Sequence, residues 1–556
     1  MQENNEQSPK VDEQSPKVNE PSLKVNEPSL KVYEPSLNDK LNLGLELDWT
    51  TMFLPLACLI VLCSFFGISP DSANDMLLKI RNFLGGDLGF YYIVLGVGVL
   101  LGTLYMAFSK YGNIKLGNEE DKPQYSNFRW GTMIFTSTMA ADILFFSLHE
   151  WALYYNEPYV QKLGNLQDWA STYPLFHWGP IPWAFYIILA IPFGFMLHVR
   201  GRKRQKFSEA CHAILGEKNV DGILGKIIDL IAVFALLAGT STTFAISVPL
   251  LSAACAHVFG IAPSISLTIG ILITIATVYT ITVLFGMIGI SKLATWCTYA
   301  FFVLLAYVFF FGKEGIYIIE TGISAIGNMF QNFIGMSTRM DPMRGDSFPQ
   351  NWTIFYWAYW MAWCVATPFF IGSISKGRTV RNTVFGAYFW GLAGTFASFI
   401  ILGNFGLSQQ MRGVFDMAGH LANEGDVYQG IIQIFQQLPV PSIALIILIV
   451  TMISFYATTF DALTMVVSSY SYKRLPVDKE PGKHIRIYWA VLFILLPIAL
   501  LFSESSRQQL YSLSIIAAFP IGITTTLIAL SFFKDASNYL KNKNCKTECT
   551  CTENKK

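Results

Sequence analysis

Long apolar stretches separated by short polar loops dominate the chain, and most approach the ~20 residues that carry a helix across a bilayer. They lie at 51–70, 89–109, 130–153, 178–199, 224–257, 265–285, 289–313, 351–372, 379–406, 441–470, 486–503 and 511–532. This pattern predicts an all-α polytopic membrane protein of about 12 transmembrane helices by the length rule. The ~10-residue alternating segments of a membrane β-barrel are not seen. Segment 315–335 is amphipathic with a shorter apolar face, which predicts a helix on the membrane surface.

Polar tails flank this region. Residues 1–49 contain no apolar stretch, so no secretory signal is expected and the first span should remain in the mature protein. A seven-residue unit repeats there as EQSPKVD, EQSPKVN, EPSLKVN, EPSLKVY and EPSLNDK. A proline in every unit argues against a coiled coil and for a disordered tether, with a docking motif as the other reading. Residues 533–556 form a short tail whose Lys534, Lys541, Lys543 and Lys546 are placed to meet anionic lipid. Of nine cysteines, Cys545, Cys549 and Cys551 lie in this tail, spaced C-x3-C-x-C with no nearby histidine, a weak soft-metal pattern.

Charge orients the spans. Lys and Arg collect after the second, fourth, eighth and tenth spans: Lys110 to Arg129, Arg200 to Lys206, Lys376 to Arg381, and Lys473 to Arg486. Loops 154–177, 314–350 and 407–440 are poor in both. Basic loops face the cytoplasm, so both termini are expected there. Only 14% of residues are charged and the formal net charge is +1, which excludes an electrostatic nucleic-acid partner. No Walker-type motif is present, so ATP-driven transport within this polypeptide is not supported. An enzyme is not expected, and a secondary transporter or channel remains.

The eighth predicted span is unusually aromatic. Trp352, Tyr356, Tyr359, Trp360 and Trp363 recur at helical spacings of three and four, so several rings share a face. Interfacial anchoring accounts for Trp352 but not for rings two or three turns deeper. The remaining readings are plain packing and a cation–π cage for an ammonium whose methyl groups offer nothing to hydrogen-bond. The fourth span opens Phe176-His177-Trp178-Gly-Pro-Ile-Pro-Trp183-Ala-Phe-Tyr186, with Trp183 and Tyr186 facing one way. Asp142 is an ionisable group within the third span, a functional candidate by default. A carboxylate beside an ammonium cage fits a substrate with no carboxylate of its own better than a zwitterion, although a protonated Asp142 could instead hydrogen-bond a zwitterion.

The run DP…R…FPQNWTIFYWAYWMAW…ISKGRT and the segment FHWGPIPWAFY resemble the signatures of the betaine/choline/carnitine transporter family, over about residues 50–532. The resemblance implies two inverted five-helix repeats of the leucine-transporter type, about 129–313 and 351–532, after two N-terminal helices. It implies a primary cage of Trp178, Trp183, Tyr186 and Trp360, with Met139 and Asp142 beside it. Trp363 and Phe370 would line the inner exit, and Trp352, Tyr356 and Tyr359 the outer route. A sodium site would draw on Thr136 and Met139 in the third span and Phe455, Thr458 and Thr459 in the tenth; the alternative is that these threonines bond only their own helix. The family's G-x-G-x-G break is replaced by Thr138-Met139-Ala140-Ala141-Asp142, and an acid at its end resembles proton-coupled choline carriers. No arginine lies between 289 and 313, where sodium-independent carnitine exchangers have one, although Lys292 is near. Glu150 matches a family acidic position and is expected to brace helices.

The expected function is import of a quaternary ammonium compound, choline slightly ahead of glycine betaine or carnitine. Coupling to sodium or protons is expected, with no cofactor beyond bound Na+. By resemblance the protein is a homotrimer in the cell membrane. The alternatives are an ion-independent precursor/product exchanger, such as carnitine/γ-butyrobetaine, and a non-transporting sensor.

Overall fold

Apolar composition in this chain becomes helix throughout, because within lipid every backbone N–H and C=O must be paired inside the protein. The computed structural model describes residues 46–137, 140–202, 204–284, 286–423, 425–475, 479–502 and 507–553. The N-terminal repeats and Met139 lie outside the described residues. Among the described residues there are no strands, only the isolated bridges Leu47 to Tyr472 and Lys115 to Thr379.

The chain runs through α1 (Trp49–Ile68), α2 (Pro70–Arg81), α3 (Gly89–Phe108), α4 (Asn127–Thr136), α5 (Ala140–Tyr155), α6 (Leu166–His177) and α7 (Pro180–His198). It continues through α8 (Ile223–Phe259), α9 (Ile265–Leu284), α10 (Gly286–Phe311), α11 (Gly315–Thr338), α12 (Ile354–Trp363) and α13 (Thr367–Ile374). The last elements are α14 (Val380–Ser398), α15 (Asn404–Met411), α16 (Val427–Phe435), α17 (Pro441–Tyr470), α18 (Lys483–Phe502) and α19 (Arg507–Glu553). Among the described residues eight helices are long and apolar enough to cross a membrane, or eleven if each bent pair is one span. The protein is therefore an all-α, multi-pass membrane protein. α11 leaves α10 at 112°, as an amphipathic surface helix would.

Two spans expected to be continuous are broken at their centres. α4 meets α5 at 68°, and the Pro349–Trp363 segment meets α13 at 58°. The second break has a local cause: Pro368 lacks an N–H and its ring clashes with the carbonyl four residues back, at Cys364, where α12 ends. The two breaks satisfy one another, since Thr367 Oγ1 donates to the freed Ser137 carbonyl at 2.8 Å. Beyond the break, α13 crosses α7 closely: a Cβ on Gly372 would lie 2.7 Å from the Gly194 nitrogen. A third difference is α6, which fills a stretch expected to be loop. It joins α7 in a 33-residue apolar segment, Leu166–His198, whose most apolar window is 89% buried.

The basic loops gather on one face. Arg200 pairs with Asp535 at 2.5 Å, Arg474 with Asp221 at 3.4 Å and Lys376 with Asp121 at 3.8 Å. Lys543 on α19 pairs with Glu119, and Lys473 with Glu46 at 2.9 Å. The Lys/Arg-poor loops make their own contacts: Asn156 Nδ2 donates to the Ala418 carbonyl at 2.7 Å, and Arg412 pairs with Glu314 at 2.7 Å.

Candidate functional site

Four aromatic rings from two elements meet at the centre of the protein. Trp183 and Tyr186, one helical turn apart on α7, face Trp360 on α12, and Trp178 joins them from the α6–α7 junction. Ring centroids lie 5.6 Å (Trp178), 5.5 Å (Trp183) and 5.0 Å (Tyr186) from Trp360. All four residues are fully buried. Rings so spaced touch one another. Seating a trimethylammonium among their faces therefore requires Trp360 to shift away from the other three.

The surroundings of the box set each ring's orientation. Trp183 Nε1 donates to Thr395 Oγ1 on α14 at 3.2 Å. Gly391, one turn earlier, leaves room for that indole: a Cβ there would lie 2.5 Å from the ring. Trp178 Nε1 donates to Glu150 Oε2 at 2.6 Å, and its ring packs on Phe399 at 5.5 Å. Phe399 begins a π-helical turn, Phe399–Gly403, that links α14 to α15. The Trp360 Nε1 is buried without a partner among the described residues, leaving one polar atom at the box unspent.

Asp142, fully buried in the first turn of α5, heads a cluster of hydroxyls. Thr243 Oγ1 on α8 donates to Oδ2 at 3.0 Å, and Ser247 Oγ to Oδ1 at 3.4 Å. Thr243 also meets the Tyr359 hydroxyl at 2.5 Å and accepts from Trp363 Nε1 at 3.1 Å, while Ser247 bonds the Tyr456 hydroxyl. Asp142 thus joins α5, α8, α12 and α17. Tyr359 and Trp363, expected on the outer and inner routes, sit together in this cluster.

Tyr356 lies over the box, stacked on His177 at 5.1 Å and edge-on to Trp178 at 5.7 Å. Further out, half-buried Trp352 donates from Nε1 to Glu157 Oε1 at 2.6 Å and stands edge-on to Tyr154 at 5.3 Å. Burial pushes the Glu157 carboxyl up, with the Trp352 hydrogen bond opposing it. Phe370 is half-buried on α13, past the break.

Of the positions expected to hold sodium, Thr136 Oγ1 donates to the Thr132 carbonyl at 2.9 Å and Thr458 Oγ1 to the Phe455 carbonyl at 2.8 Å. Thr459 Oγ1 is buried with no partner among the described residues. Phe135, Phe301 and Phe455 bring α4, α10 and α17 together, at 5.4 and 5.6 Å between successive rings. One free hydroxyl suits a hard cation, whereas two threonines are engaged with their own helices. Cys545 is exposed; the side chains of Cys549 and Cys551 lie outside the described residues.

Sequence reasoning did not find Thr243, Ser247 and Tyr456, because ordinary hydroxyls in apolar helices give no signal of a shared partner. It also missed the bond from Glu150 to Trp178, 28 positions apart. The signal available was an acid within an apolar span.

The profile of the betaine/carnitine/choline family of transporters matches residues 50–541. A protein named "Probable glycine betaine transporter" from Desulfitobacterium hafniense (strain Y51) is 27% identical over 508 residues, 89% of this chain and 99% of its own length. A "Carnitine transporter" from Acinetobacter baumannii is 27% identical over 423 residues, 75% of this chain and 76% of its own. An "Uncharacterized transporter YeaV" from Escherichia coli (strain K12) is 26% identical over 432 residues, 77% and 88% respectively.

Proposed function

The chain belongs to the betaine/carnitine/choline family of transporters, and from that premise we propose that it imports a quaternary ammonium compound, choline ahead of glycine betaine and carnitine. The observation that carries this reading is the grouping of Trp178, Trp183 and Tyr186 around Trp360. Ring faces attract a cation that cannot hydrogen-bond, and exclusion of water strengthens the attraction. Relatives named for glycine betaine and for carnitine share that headgroup chemistry. Asp142 favours choline, since a carboxylate near the ammonium suits a substrate with no carboxylate of its own.

Substrate enters past Trp352 and Tyr356, displaces Trp360 from its three neighbours and closes the box around the ammonium. The bundle of α4–α5, α6–α7, α12–α13 and α14–α15 then rocks against the rest, as inverted repeats allow. The paired breaks at Ser137 and Thr367 support such a bundle, because irregular backbone at membrane depth is kept where it serves a site. The driving ion is sodium or a proton. The free Thr459 hydroxyl favours sodium, and Asp142 with its ring of hydroxyls favours the proton. Residence in the cell membrane with both termini inside, and assembly as a homotrimer, follow from family likeness and the basic loops.

Uptake of labelled choline and glycine betaine into proteoliposomes, with sodium and proton gradients imposed separately, tests the reading. Choline uptake driven by one of the two gradients is the expected result, and a proton drive would make Asp142 the coupling residue. Sodium-driven betaine uptake would move coupling to Thr459 and leave Asp142 a packing group. Counter-transport without either gradient would make the protein an exchanger, and binding without flux would make it a sensor.

A further inference from the structure

Glu150 is fully buried in α5, and among the described residues it forms no ion pair with a lysine or arginine. Trp178 Nε1 meets it at 2.6 Å on Oε2 and the Tyr154 hydroxyl at 2.6 Å on Oε1, and the Tyr356 hydroxyl interacts with the same carboxyl. An indole N–H can only donate, so Oε2 must accept. Tyr154 also meets His177 Nδ1 at 2.5 Å, and His177 Nε2 meets Thr353 Oγ1 at 3.0 Å. With the single Tyr154 proton on Glu150, His177 donates through Nδ1 and accepts at Nε2 from Thr353. Every hydrogen bond in the chain can then point toward Glu150, as a carboxylate would require.

An unpaired carboxylate within a membrane span is costly, and such groups normally find a positive partner. Here the neighbouring positive charge is the substrate's own. Trp178 is both the residue that Glu150 holds and a wall of the box, so the carboxylate sits at the edge of the indole whose face would meet the ammonium. Negative charge on the N–H polarises the ring and makes its face a better site for a cation. Asp142, by contrast, reaches its neighbours through hydroxyls.

Resting on the reading of the box as an ammonium site, we propose that Glu150 is a positioning residue acting through Trp178. It fixes the plane of that indole and supplies the negative charge by which the box prefers a cationic ammonium to an uncharged ligand of the same shape.

The test compares choline with its uncharged tert-butyl isostere, by calorimetry on the full-length protein in nanodiscs, for wild type and Glu150→Gln. Glutamine retains an acceptor but not the charge. The expected result is about a tenfold loss of choline affinity with the isostere's affinity unchanged. Equal losses for both ligands would reduce Glu150 to a brace, and unchanged affinities would remove it from the site; either overturns the inference. If Glu150→Gln does not fold, Glu150→Asp leaves every ring in place, keeps the charge and draws it back from the Trp178 N–H by one methylene. A selective loss for choline in that variant supports the proposal, and a parallel loss overturns it. Wild-type protein that bound no quaternary ammonium would overturn the functional reading itself, whereas intact wild-type binding with an unchanged charge preference in the variant sinks this inference alone.

Discussion

Trp360 touches each of the other three rings, so it decides whether the box is a site or packing. Trp360→Leu keeps an apolar side chain of intermediate size but removes the shared π face. Its expected cost in binding is about 2 kcal/mol or more for a desolvated cation–π contact, roughly thirtyfold in Kd, for choline, betaine and carnitine alike. Unchanged affinity in equilibrium dialysis would make the four rings a core cluster. Asp142→Gly separates the headgroup from the rest of the substrate: removing the acid is expected to move preference from choline toward betaine. Competition between the two labelled substrates reads this, and an unaltered ratio would take Asp142 out of the site. At this scale the rings were legible in the sequence, because deep tryptophans at helical spacing stand out in an apolar span. Their partners were not, since Glu150, Thr243, Thr395 and Gly391 acquire meaning only when distant helices meet.

Helix breaks extend the argument to elements. A proline announces the interruption between α12 and α13, but nothing in Thr138-Met139-Ala140-Ala141 announces the one between α4 and α5. The expectation of a continuous span there followed from composition. The structure shows instead that the freed Ser137 carbonyl is claimed by Thr367 from the other break. Local sequence cannot reveal such a pairing, because its two halves are 230 residues apart. α6 escaped for a related reason: Gln167, Asp168, Ser171 and Thr172 make it look like loop, while the Ser171 and Thr172 hydroxyls are satisfied inside the fold. Ser171 Oγ, for instance, donates to Asn404 Oδ1 at 2.7 Å. The pairing of breaks makes a sharp prediction. Thr367→Val preserves shape and strands a buried carbonyl, so it should destabilise the protein by about 1–3 kcal/mol. Thermal unfolding in detergent is expected to show a lowered midpoint, whereas Thr367→Ser should restore most of it. A valine variant as stable as wild type would mean that the two breaks do not depend on each other.

At the scale of the whole molecule, every basic loop inferred to be cytoplasmic reaches a partner on the same face: Arg200 meets Asp535 on α19, loop 110–129 meets Lys376 through Asp121 and Lys543 through Glu119, and Lys473 meets Glu46 before α1. The structure thereby joins the charge-rich ends of the spans into one surface, and the compartment that surface faces is a separate step. The bias of Lys and Arg supplies that step, because translocating positive charge is disfavoured. Cys545 reports on it, being exposed on α19 within the same surface. In a variant keeping only the tail cysteines, a membrane-impermeant maleimide should label inverted vesicles and leave intact cells unlabelled. Labelling of intact cells would turn the molecule over. Trp352 and Tyr356 would then guard the cytoplasmic mouth, and the same aromatic box would load from inside. Orientation therefore decides the direction of transport that the box can serve, and it rests on loop charge rather than on the rings themselves.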